Sequence, residues 1–188
     1  MDGEDVDREL VEKAKKGDHG AFSALMDRYY RTVLNVVHRF YGCTADEAED
    51  VAQEVFMRIY RSLARFEGRS QFFTWLYKVT MNLCLKKREQ RKRREWTSLE
   101  EVQEKPPRGE ERDPVEAGYG KEELAKVVQE ALSTLPEEQR SVVILHRYHD
   151  LPYEEIAKIL NITLPAVKSR LHRAKLSLRQ MLAPYVEG

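Results

Sequence analysis

Apolar residues recur at helical spacing along most of this chain. In the segment 21–42 they fall three or four residues apart, which predicts an amphipathic helix that stops at Gly42. A second helix is predicted from Thr44, because Thr44 and Glu47 have the spacing of a capping box. The stretch "EGRSQ" interrupts the pattern, and from Phe72 a third long helix with a basic end is predicted. No segment shows the alternation typical of a strand.

The second half of the chain repeats this helical character after a gap. Residues 97–120 hold three of the seven prolines and three of the nine glycines, with few apolar residues, and predict a linker. Helical periodicity returns at Lys121 and indicates four helices, broken near Pro136, Pro152 and the "NIT" at 161–163. The predicted fold class is all-α, with two small helical domains joined by a flexible acidic linker. The expected divisions are an acidic N-terminal segment 1–20, a domain 21–95, a linker 96–122 and a domain 123–185.

Charge is distributed in blocks, although the 188 residues carry a formal net charge of zero. Residues 21–94 contain 15 basic and 8 acidic side chains, whereas residues 95–123 contain 4 basic and 10 acidic ones. Lysine and arginine contacts to phosphate release counterions, so a basic block favours a polyanionic partner. The pattern therefore indicates two working modules and an acidic connector.

Several classes of protein are disfavoured by composition. No apolar run approaches the ~18 residues of a membrane span, and the acidic N-terminus does not resemble a signal peptide, so a cytoplasmic protein without membrane insertion is expected. Cys43 and Cys84 are far apart, and a disulfide is not expected in that compartment. No Cys/His spacing suits zinc, and nothing nearby completes a coordination shell for His146 and His149. We expect no metal, no cofactor and no small-molecule substrate.

The stretch "YEEIAKILNITLPAVKSRLHRAK", residues 153–175, has the spacing of a helix-turn-helix. Ala157 is small where two helices must approach, Asn161 tolerates a left-handed turn, and Val167 would pack back onto the first helix. The second helix would place its polar face in the major groove of duplex DNA. That face carries Lys168, Ser169, Arg170, His172, Arg173 and Lys175. The alternative is an ordinary helical hairpin with a solvated basic face.

The N-terminal half interleaves aromatic and basic residues in "RFEGRSQFFTWLYKVTMNLCLKKREQRKRR". Aromatic platforms beside cations suit single-stranded nucleic acid, where each stacked base contributes roughly 1–3 kcal/mol. The alternative is that aromatic residues such as Phe73 and Trp75 belong to the hydrophobic core. Asp50, Gln53 and Glu54 form an acidic and amide cluster on one face of the second helix, which a solvated helix surface would also explain.

Together these motifs resemble the extracytoplasmic-function class of bacterial RNA polymerase sigma factors. The resemblance is carried by "AEDVAQEVF", by "TWLYKVTMNLC", and by "LPEEQRSVVILHRYHDLPYEEIAKILNIT" followed by "VKSRLHRAKLSLR", in this order over residues 20–183. It implies two helical domains, sigma-2 and sigma-4, and no catalytic site. The implied partners are core RNA polymerase, promoter DNA and an anti-sigma factor.

The resemblance also implies roles for individual residues. The clamp helices of the largest polymerase subunit would bind Asp50, Gln53, Glu54 and Arg58. The −10 promoter element, with one base flipped into the loop between Phe66 and Phe72, would be held by Phe66, Arg69, Ser70, Phe72, Trp75, Lys78, Asn82, Lys86 and Arg88. The −35 element would be read by the helix-turn-helix residues named above. Here Leu164-Pro165-Ala166 replaces the more usual Gly-Thr, so the −35 preference stays open.

Two other functions are compatible with parts of the sequence. A stand-alone helix-turn-helix repressor or activator would need residues 1–94 as a dimerisation or effector module, and their basic-aromatic surface argues against that. A nucleic-acid enzyme would need clustered ligands on more than one segment, whereas Glu47, Glu49, Asp50 and Glu54 all lie on a single helix.

Overall fold

Eight α-helices make up almost all of residues 3–101 and 121–186, the part of the chain that the computed structural model describes. A 3-10 turn follows α3, and a π-helical segment, Ile144–Tyr148, continues α6. The described residues contain no strand, and the predicted all-α class is confirmed. The helices are α1 (Gly3–Lys15), α2 (His19–Tyr41), α3 (Ala45–Ser62), α4 (Phe72–Glu101), α5 (Lys121–Thr134), α6 (Glu137–Val143), α7 (Tyr153–Leu160) and α8 (Leu164–Val186).

Local capping chemistry sets the ends of the N-terminal helices. Asp18 caps α2 by accepting a hydrogen bond from the Ala21 amide at 3.0 Å. The same helix ends at Gly42, whose φ of 63° is the left-handed conformation that glycine adopts without strain. Both hydrogen bonds of the predicted capping box between Thr44 and Glu47 are present at the start of α3. The helix stop and the capping box predicted from the sequence are therefore confirmed.

Helix α4 extends into the segment 96–122 that the sequence predicts as a linker. Residues 96–101 continue α4, so the boundary expected at residue 96 falls inside this helix. The physical reason is that no proline or glycine interrupts the chain between Phe72 and Pro106. The expected linker residues 102–120 lie outside the described part of the chain, and the last two, residues 121 and 122, belong to the first turn of α5.

Helix α1, within the acidic segment whose role the sequence left open, packs on the N-terminal module. Val11 is buried in the core, and α1 contacts α2 and α4. Asp7 is almost fully buried, accepts a hydrogen bond from the Tyr29 hydroxyl and pairs with Arg28 at 3.2 Å. Burial and the nearby Asp7 carboxylate both raise the pKa of Tyr29, so its hydroxyl stays protonated and donates to Asp7. This paired carboxylate anchors α1 to α2.

The buried apolar residues of the two halves form one continuous core. The N-terminal half contributes residues of α1 to α4, and the C-terminal half contributes residues of α5 to α8 and the π-helical segment. Helix α7 lies against α4, and α5 lies against α2. A side chain at Gly42 would place its Cβ atom only 2.9 Å from Ser133 Oγ on α5, so the helix stop of α2 also permits close approach of the second module.

Arg140 of α6 connects the two modules at the ends of two helices. Its side chain is 1% exposed, and it donates hydrogen bonds to the carbonyl oxygens of Leu132, Ser133 and Leu135 at the end of α5. It also donates to the Phe40 carbonyl oxygen in the last turn of α2, at 2.8 Å. Helix C-terminal carbonyls lack intrahelical partners and carry partial negative charge, so one guanidinium satisfies groups from both helices. Burial lowers the pKa of Arg140 to about 10, which still leaves it charged at neutral pH.

Replacement of Arg140 by methionine tests this connection. We expect Arg140→Met to lower the free energy of unfolding by about 3 kcal/mol or more, because three buried carbonyl groups and one partly buried carbonyl group lose a charged donor. Urea unfolding followed by circular dichroism measures the change. The matched control is Arg147→Met at an exposed position of the π-helical segment, where a change below about 0.5 kcal/mol is expected. Equal stabilities of the two variants would contradict the role given to Arg140.

Candidate functional site

Of the four candidate residues on α3, two are exposed and two form an ion pair with each other. Asp50 and Gln53 are exposed, and neighbouring turns place them on one face of the helix. Glu54 is half-buried and accepts a hydrogen bond from Arg58 at 2.7 Å. Its other carboxylate oxygen pairs with Lys87 of α4 at 2.6 Å. The exposed pair can therefore meet a partner directly, whereas Glu54 already links α3 to α4.

The charge state of Glu54 follows from these contacts. The hydrogen bond from Lys87 has the largest effect and, with that from Arg58, holds the pKa of Glu54 below its usual value. A carboxylate with a lowered pKa contributes stability above its unfolded-state pKa, and this contribution is lost as the pH falls through the folded-state pKa. At neutral pH the Glu54 pairs are thus fully formed, and screening by solvent keeps their contribution small.

Aromatic residues at the start of α4 and in the loop before it form a compact cluster. The rings of Phe66 and Trp75 stack with centroids 4.8 Å apart and an interplanar angle of 29°. Phe72 meets both rings edge-on and is only 5% exposed, so the structure places it in the core. Phe66 and Trp75 are partly exposed and retain ring surface that a base could contact. The sequence alone left open which of these aromatic residues were core.

The loop 66–71 borders a cavity of about 660 Å³. Gly68 adopts a φ of 70° in this loop, and the neighbouring Arg69 is 85% exposed and pairs with Glu67 at 2.6 Å. The cavity lies between this loop, α1 and α7. Sequence reasoning missed α1 and α7 as walls, because no local signal shows which distant helix packs beside a loop. Polar side chains lining it include Asp5, Arg8, Glu12, Arg69, Ser70, Glu155 and Lys158.

The polar residues predicted along α4 occupy two different environments. Lys78, Asn82 and Lys86 are exposed and succeed one another every four residues, so they follow one face of the helix. Arg88 is partly buried, and its Nε donates to Glu137 of α6 at 3.0 Å. Lys92, one turn further along, also donates to Glu137. The first three residues are open to a ligand, whereas Arg88 has an acidic partner in the C-terminal module.

The helix-turn-helix predicted for residues 153–175 is formed by α7 and the start of α8. Asn161 ends α7 in the left-handed conformation, with φ 53° and ψ 49°. The Thr163 hydroxyl accepts a hydrogen bond from the Ala166 amide at 3.4 Å. Val167 is completely buried, as the predicted packing onto α7 requires, and Leu171 and Ala174 continue this buried face. The left-handed turn predicted at Asn161 and the packing predicted for Val167 are confirmed.

The opposite face of α8 carries the predicted DNA-reading residues. Lys168, Ser169, His172, Arg173 and Lys175 are all exposed. Within this face, Arg173 donates to the Ser169 hydroxyl at 3.1 Å, which positions its guanidinium along the helix. Arg170 is partly buried and pairs with Glu138 at 3.0 Å. Five of the six predicted residues therefore form an open basic surface.

The described residues show neither a metal-binding cluster nor a membrane-spanning helix. No group of three or more His, Cys, Asp or Glu side chains in residues 3–101 and 121–186 is arranged to hold a metal ion. None of the helices in this part of the chain is long and apolar enough to cross a membrane. Cys43 and Cys84 carry free thiols, and burial raises the pKa of Cys84 to about 12.

Two family descriptions match the two modules. Residues 25–94 match "Sigma-70 region 2", and residues 125–178 match "Sigma-70, region 4". Among solved structures, CnrH in complex with the cytosolic domain of CnrY is similar with a TM-score of 0.68 and 24% identity, covering 95% of this chain and 97% of that one. A Bartonella quintana sigma factor, RpoE, in complex with the anti-sigma factor NepR is similar with a TM-score of 0.66 and 21% identity, covering 86% and 96%. These two structural similarities show that this chain shares the fold of those proteins.

Curated relatives extend the match to nearly the full chain. The RNA polymerase sigma-H factor of Pseudomonas aeruginosa is 33% identical over 196 residues, covering 96% of both chains. The ECF RNA polymerase sigma-E factor of Escherichia coli K12 is 32% identical over 197 residues, again covering 96% of both. With a sigma-70 region matched to each module and relatives of this identity along almost all of its length, the chain belongs to the extracytoplasmic-function (ECF) family of RNA polymerase sigma factors.

Proposed function

We propose that this protein binds core RNA polymerase and directs it to promoters through contacts with the −35 and −10 elements. The observation that carries the proposal is the presence of three separate polar surfaces on one sigma-factor fold. These are the exposed pair on α3, the aromatic loop with the polar face of α4, and the basic face of α8. Each surface has a chemistry suited to one of the three partners.

The surface on α3 suits a protein partner. Asp50 and Gln53 offer a carboxylate and an amide one turn apart on an exposed helical face. Such groups form charge-assisted and neutral hydrogen bonds with basic and polar residues of a second helix. We assign them to the clamp helices of the largest polymerase subunit. Glu54 and Arg58 border this pair, and we infer that Glu54 mainly holds the helix against α4 through Lys87.

The basic face of α8 suits duplex DNA. The first turns of the second helix in a helix-turn-helix enter the major groove, where arginine and lysine bind the guanine edge. Ser169 and Arg173 lie one turn apart on this exposed face and are hydrogen-bonded to each other. We propose that Arg173 reads a base and that Lys168 and Lys175 contact phosphates. The −35 element is the corresponding target.

The aromatic loop suits a melted strand. Extruding a base from the duplex costs a few kcal/mol, which stacking and hydrogen bonds in a pocket must return. The stacked Phe66 and Trp75 rings border a loop whose Arg69 and Ser70 are exposed and line the cavity. Lys78, Asn82 and Lys86 continue along α4 and would follow the phosphate backbone of the −10 element. Phe72 would support the pocket from within the core.

This assignment gives the chain a binding role and leaves catalysis to the polymerase. We propose that it has no enzymatic activity of its own, that it acts in the cytoplasm, and that an anti-sigma factor controls access to its surfaces. One of the similar solved structures is a complex of a sigma factor with an anti-sigma factor, which supports the last point for this chain. The acidic segment 102–120 lies outside the described residues, and its proposed place is the connection between the two promoter contacts.

Binding to core polymerase without DNA tests the proposal directly. We expect the purified chain to form a one-to-one complex, and Asp50→Ala combined with Gln53→Ala to weaken that complex at least about tenfold, since interface anchors contribute 1–2 kcal/mol or more each. Neither exposed side chain supports the fold, so circular dichroism should be unchanged. Fluorescence anisotropy of the labelled chain measures the affinity.

A matched control removes the same two chemical groups elsewhere. Glu130→Ala combined with Gln180→Ala deletes an exposed carboxylate and an exposed amide from α5 and α8. This variant should bind core polymerase like the wild type. If no complex forms with polymerase from the matching source, the proposed function is wrong, and specific duplex binding by a dimer would support the repressor alternative. A complex that the α3 changes leave intact would move the polymerase-binding surface away from α3.

The −35 assignment makes a separate prediction for Arg173. We expect Arg173→Ala in the holoenzyme to weaken binding to the preferred −35 sequence by roughly 1–3 kcal/mol and to reduce discrimination at one base pair. Competition binding across −35 sequence variants measures both effects. Arg179→Ala, at an exposed position nearly two turns further along α8, serves as the control and should keep the sequence preference. An unchanged preference in Arg173→Ala would remove Arg173 from the base-reading residues.

A further inference from the structure

The C-terminal module covers part of the surface assigned to the −10 element. One carboxylate oxygen of Glu137, in the first turn of α6, accepts hydrogen bonds from both Arg88 and Lys92. These two cations lie one turn apart on α4, and Arg88 is among the residues that the resemblance places at the −10 element. An anionic oxygen shared by two cations one helical turn apart is also the arrangement in which a DNA phosphate binds. Glu137 therefore presents to Arg88 and Lys92 an anionic oxygen of the kind that a phosphate offers.

A second acidic contact lies beside the aromatic loop. Glu155 of α7 accepts a hydrogen bond from the Thr74 hydroxyl of α4 at 2.8 Å. Glu155 and Lys158 together line the cavity that borders loop 66–71. The first helix of the helix-turn-helix thus forms a wall of the cavity where the flipped base is expected to enter.

Contacts other than ion pairs hold the same interface closed. The Arg39 guanidinium lies 3.7 Å from the centroid of the Tyr148 ring, and the Gln129 amide donates to the Arg39 carbonyl oxygen at 3.1 Å. The rings of Tyr77 and His149 meet edge-on with centroids 5.2 Å apart. Burial, with the nearby Arg39 charge, lowers the pKa of His149 to about 4, so this ring is neutral at physiological pH. The closed arrangement is therefore a packed interface rather than an isolated ion pair.

The closed arrangement is too small to contact both promoter elements at once. A compact chain of 188 residues has a radius of gyration of about 16 Å and a diameter of about 42 Å. The centres of the two promoter elements lie about 25 base pairs apart, as the names −10 and −35 imply. At 3.4 Å per base pair, this spacing corresponds to about 85 Å of duplex. The two modules must therefore separate before both elements can be bound.

We propose that in the free chain the C-terminal module is a ligand of the DNA-binding face of the N-terminal module, with Glu137 in place of a phosphate. Glu137 then competes with the melted strand for Arg88 and Lys92, while Glu155 and α7 restrict the base pocket. Promoter strand and polymerase displace this contact when the modules separate. This inference rests on the proposed function and adds an acidic interaction surface to the C-terminal module, with the chain's own basic helix as its partner.

Binding of a single strand to the free chain tests the competition. The probe is a fluorescein-labelled dT12 oligonucleotide, since contacts to phosphates do not depend on sequence. We expect Glu137→Gln to bind dT12 about three- to tenfold more tightly than the wild type at low salt. The slope of log K against log salt concentration should become more negative by up to about 1.4. Arg88 and Lys92, no longer bound to Glu137, can each contact one phosphate, and each such contact contributes about 0.7 to the slope on a single strand.

The matched control is Glu154→Gln, which removes the same charge from an exposed position of α7. It should leave both the affinity for dT12 and the salt dependence close to the wild-type values. If Glu137→Gln and Glu154→Gln behave alike, overall charge explains the result and the competition is wrong. If Glu137→Gln reduces helicity, the test passes to Glu155→Gln, the isosteric change at the second acidic contact. This variant must then bind dT12 more tightly than the wild type, and unchanged binding would contradict the inference.

Core polymerase binding, measured in parallel, separates this inference from the proposed function. Tighter dT12 binding by Glu137→Gln supports the competition, whether or not a polymerase complex forms. A normal polymerase complex with unchanged dT12 binding by Glu137→Gln overturns the competition and leaves the sigma-factor function in place.

Discussion

The arrangement of the two modules depends on one buried cation. Arg140 places a guanidinium among carbonyl oxygens from the ends of α2 and α5, and its four described hydrogen bonds all go to carbonyl oxygens. The partial negative charge at the two helix ends compensates its burial. Because one of the four acceptors belongs to the N-terminal module, separation of the modules leaves the Phe40 carbonyl to water and retains the other three bonds. The C-terminal module can therefore detach while Arg140 still supports its own fold.

Local features of the fold could be predicted because their signals lie within a few residues. Gly42, the Thr44–Glu47 capping box, the left-handed Asn161 and the buried Val167 are each specified by neighbours in sequence, and all have the expected geometry. The contacts that join the modules could not be predicted in this way. Arg140 and Phe40 are 100 residues apart, and Thr74 and Glu155 are 81 apart. In the sequence Arg140 resembles an ordinary surface arginine, since arginine is seldom fully buried.

The same distinction applies to the candidate surfaces. The basic face of α8 follows from helical periodicity, because the buried Val167, Leu171 and Ala174 fix the side of the helix that remains exposed. The sequence indicates the acidic cluster on α3 as a group, yet only the structure shows that Glu54 pairs with Lys87, 33 residues away. Helix α1 had no assigned role, and its packing beside loop 66–71 adds Asp5, Arg8 and Glu12 to the cavity wall.

The contact of Glu137 is weak enough to be exchanged for another ligand. A partly exposed ion pair contributes about 0–1 kcal/mol, so the bonds of Glu137 to Arg88 and Lys92 supply only part of the stability of the closed arrangement, and the packed contacts between the modules supply the rest. A partner that binds the open arrangement more tightly shifts this balance by its differential affinity. Core polymerase and promoter DNA together supply such a difference, because both promoter contacts can form only when the modules are apart. Use of the same cations for an internal carboxylate and for DNA would then link promoter binding to polymerase binding.

Fluorescence energy transfer between the two modules tests this account most directly. Dyes attached through cysteines introduced at Asp27 of α2 and Arg179 of α8 report the separation of the modules in the full chain. The account predicts high transfer in the free chain, consistent with a compact particle about 42 Å across. It predicts a large loss of transfer once core polymerase and promoter DNA are added. Equal transfer in the free and the promoter-bound states would contradict a closed arrangement that must open for function.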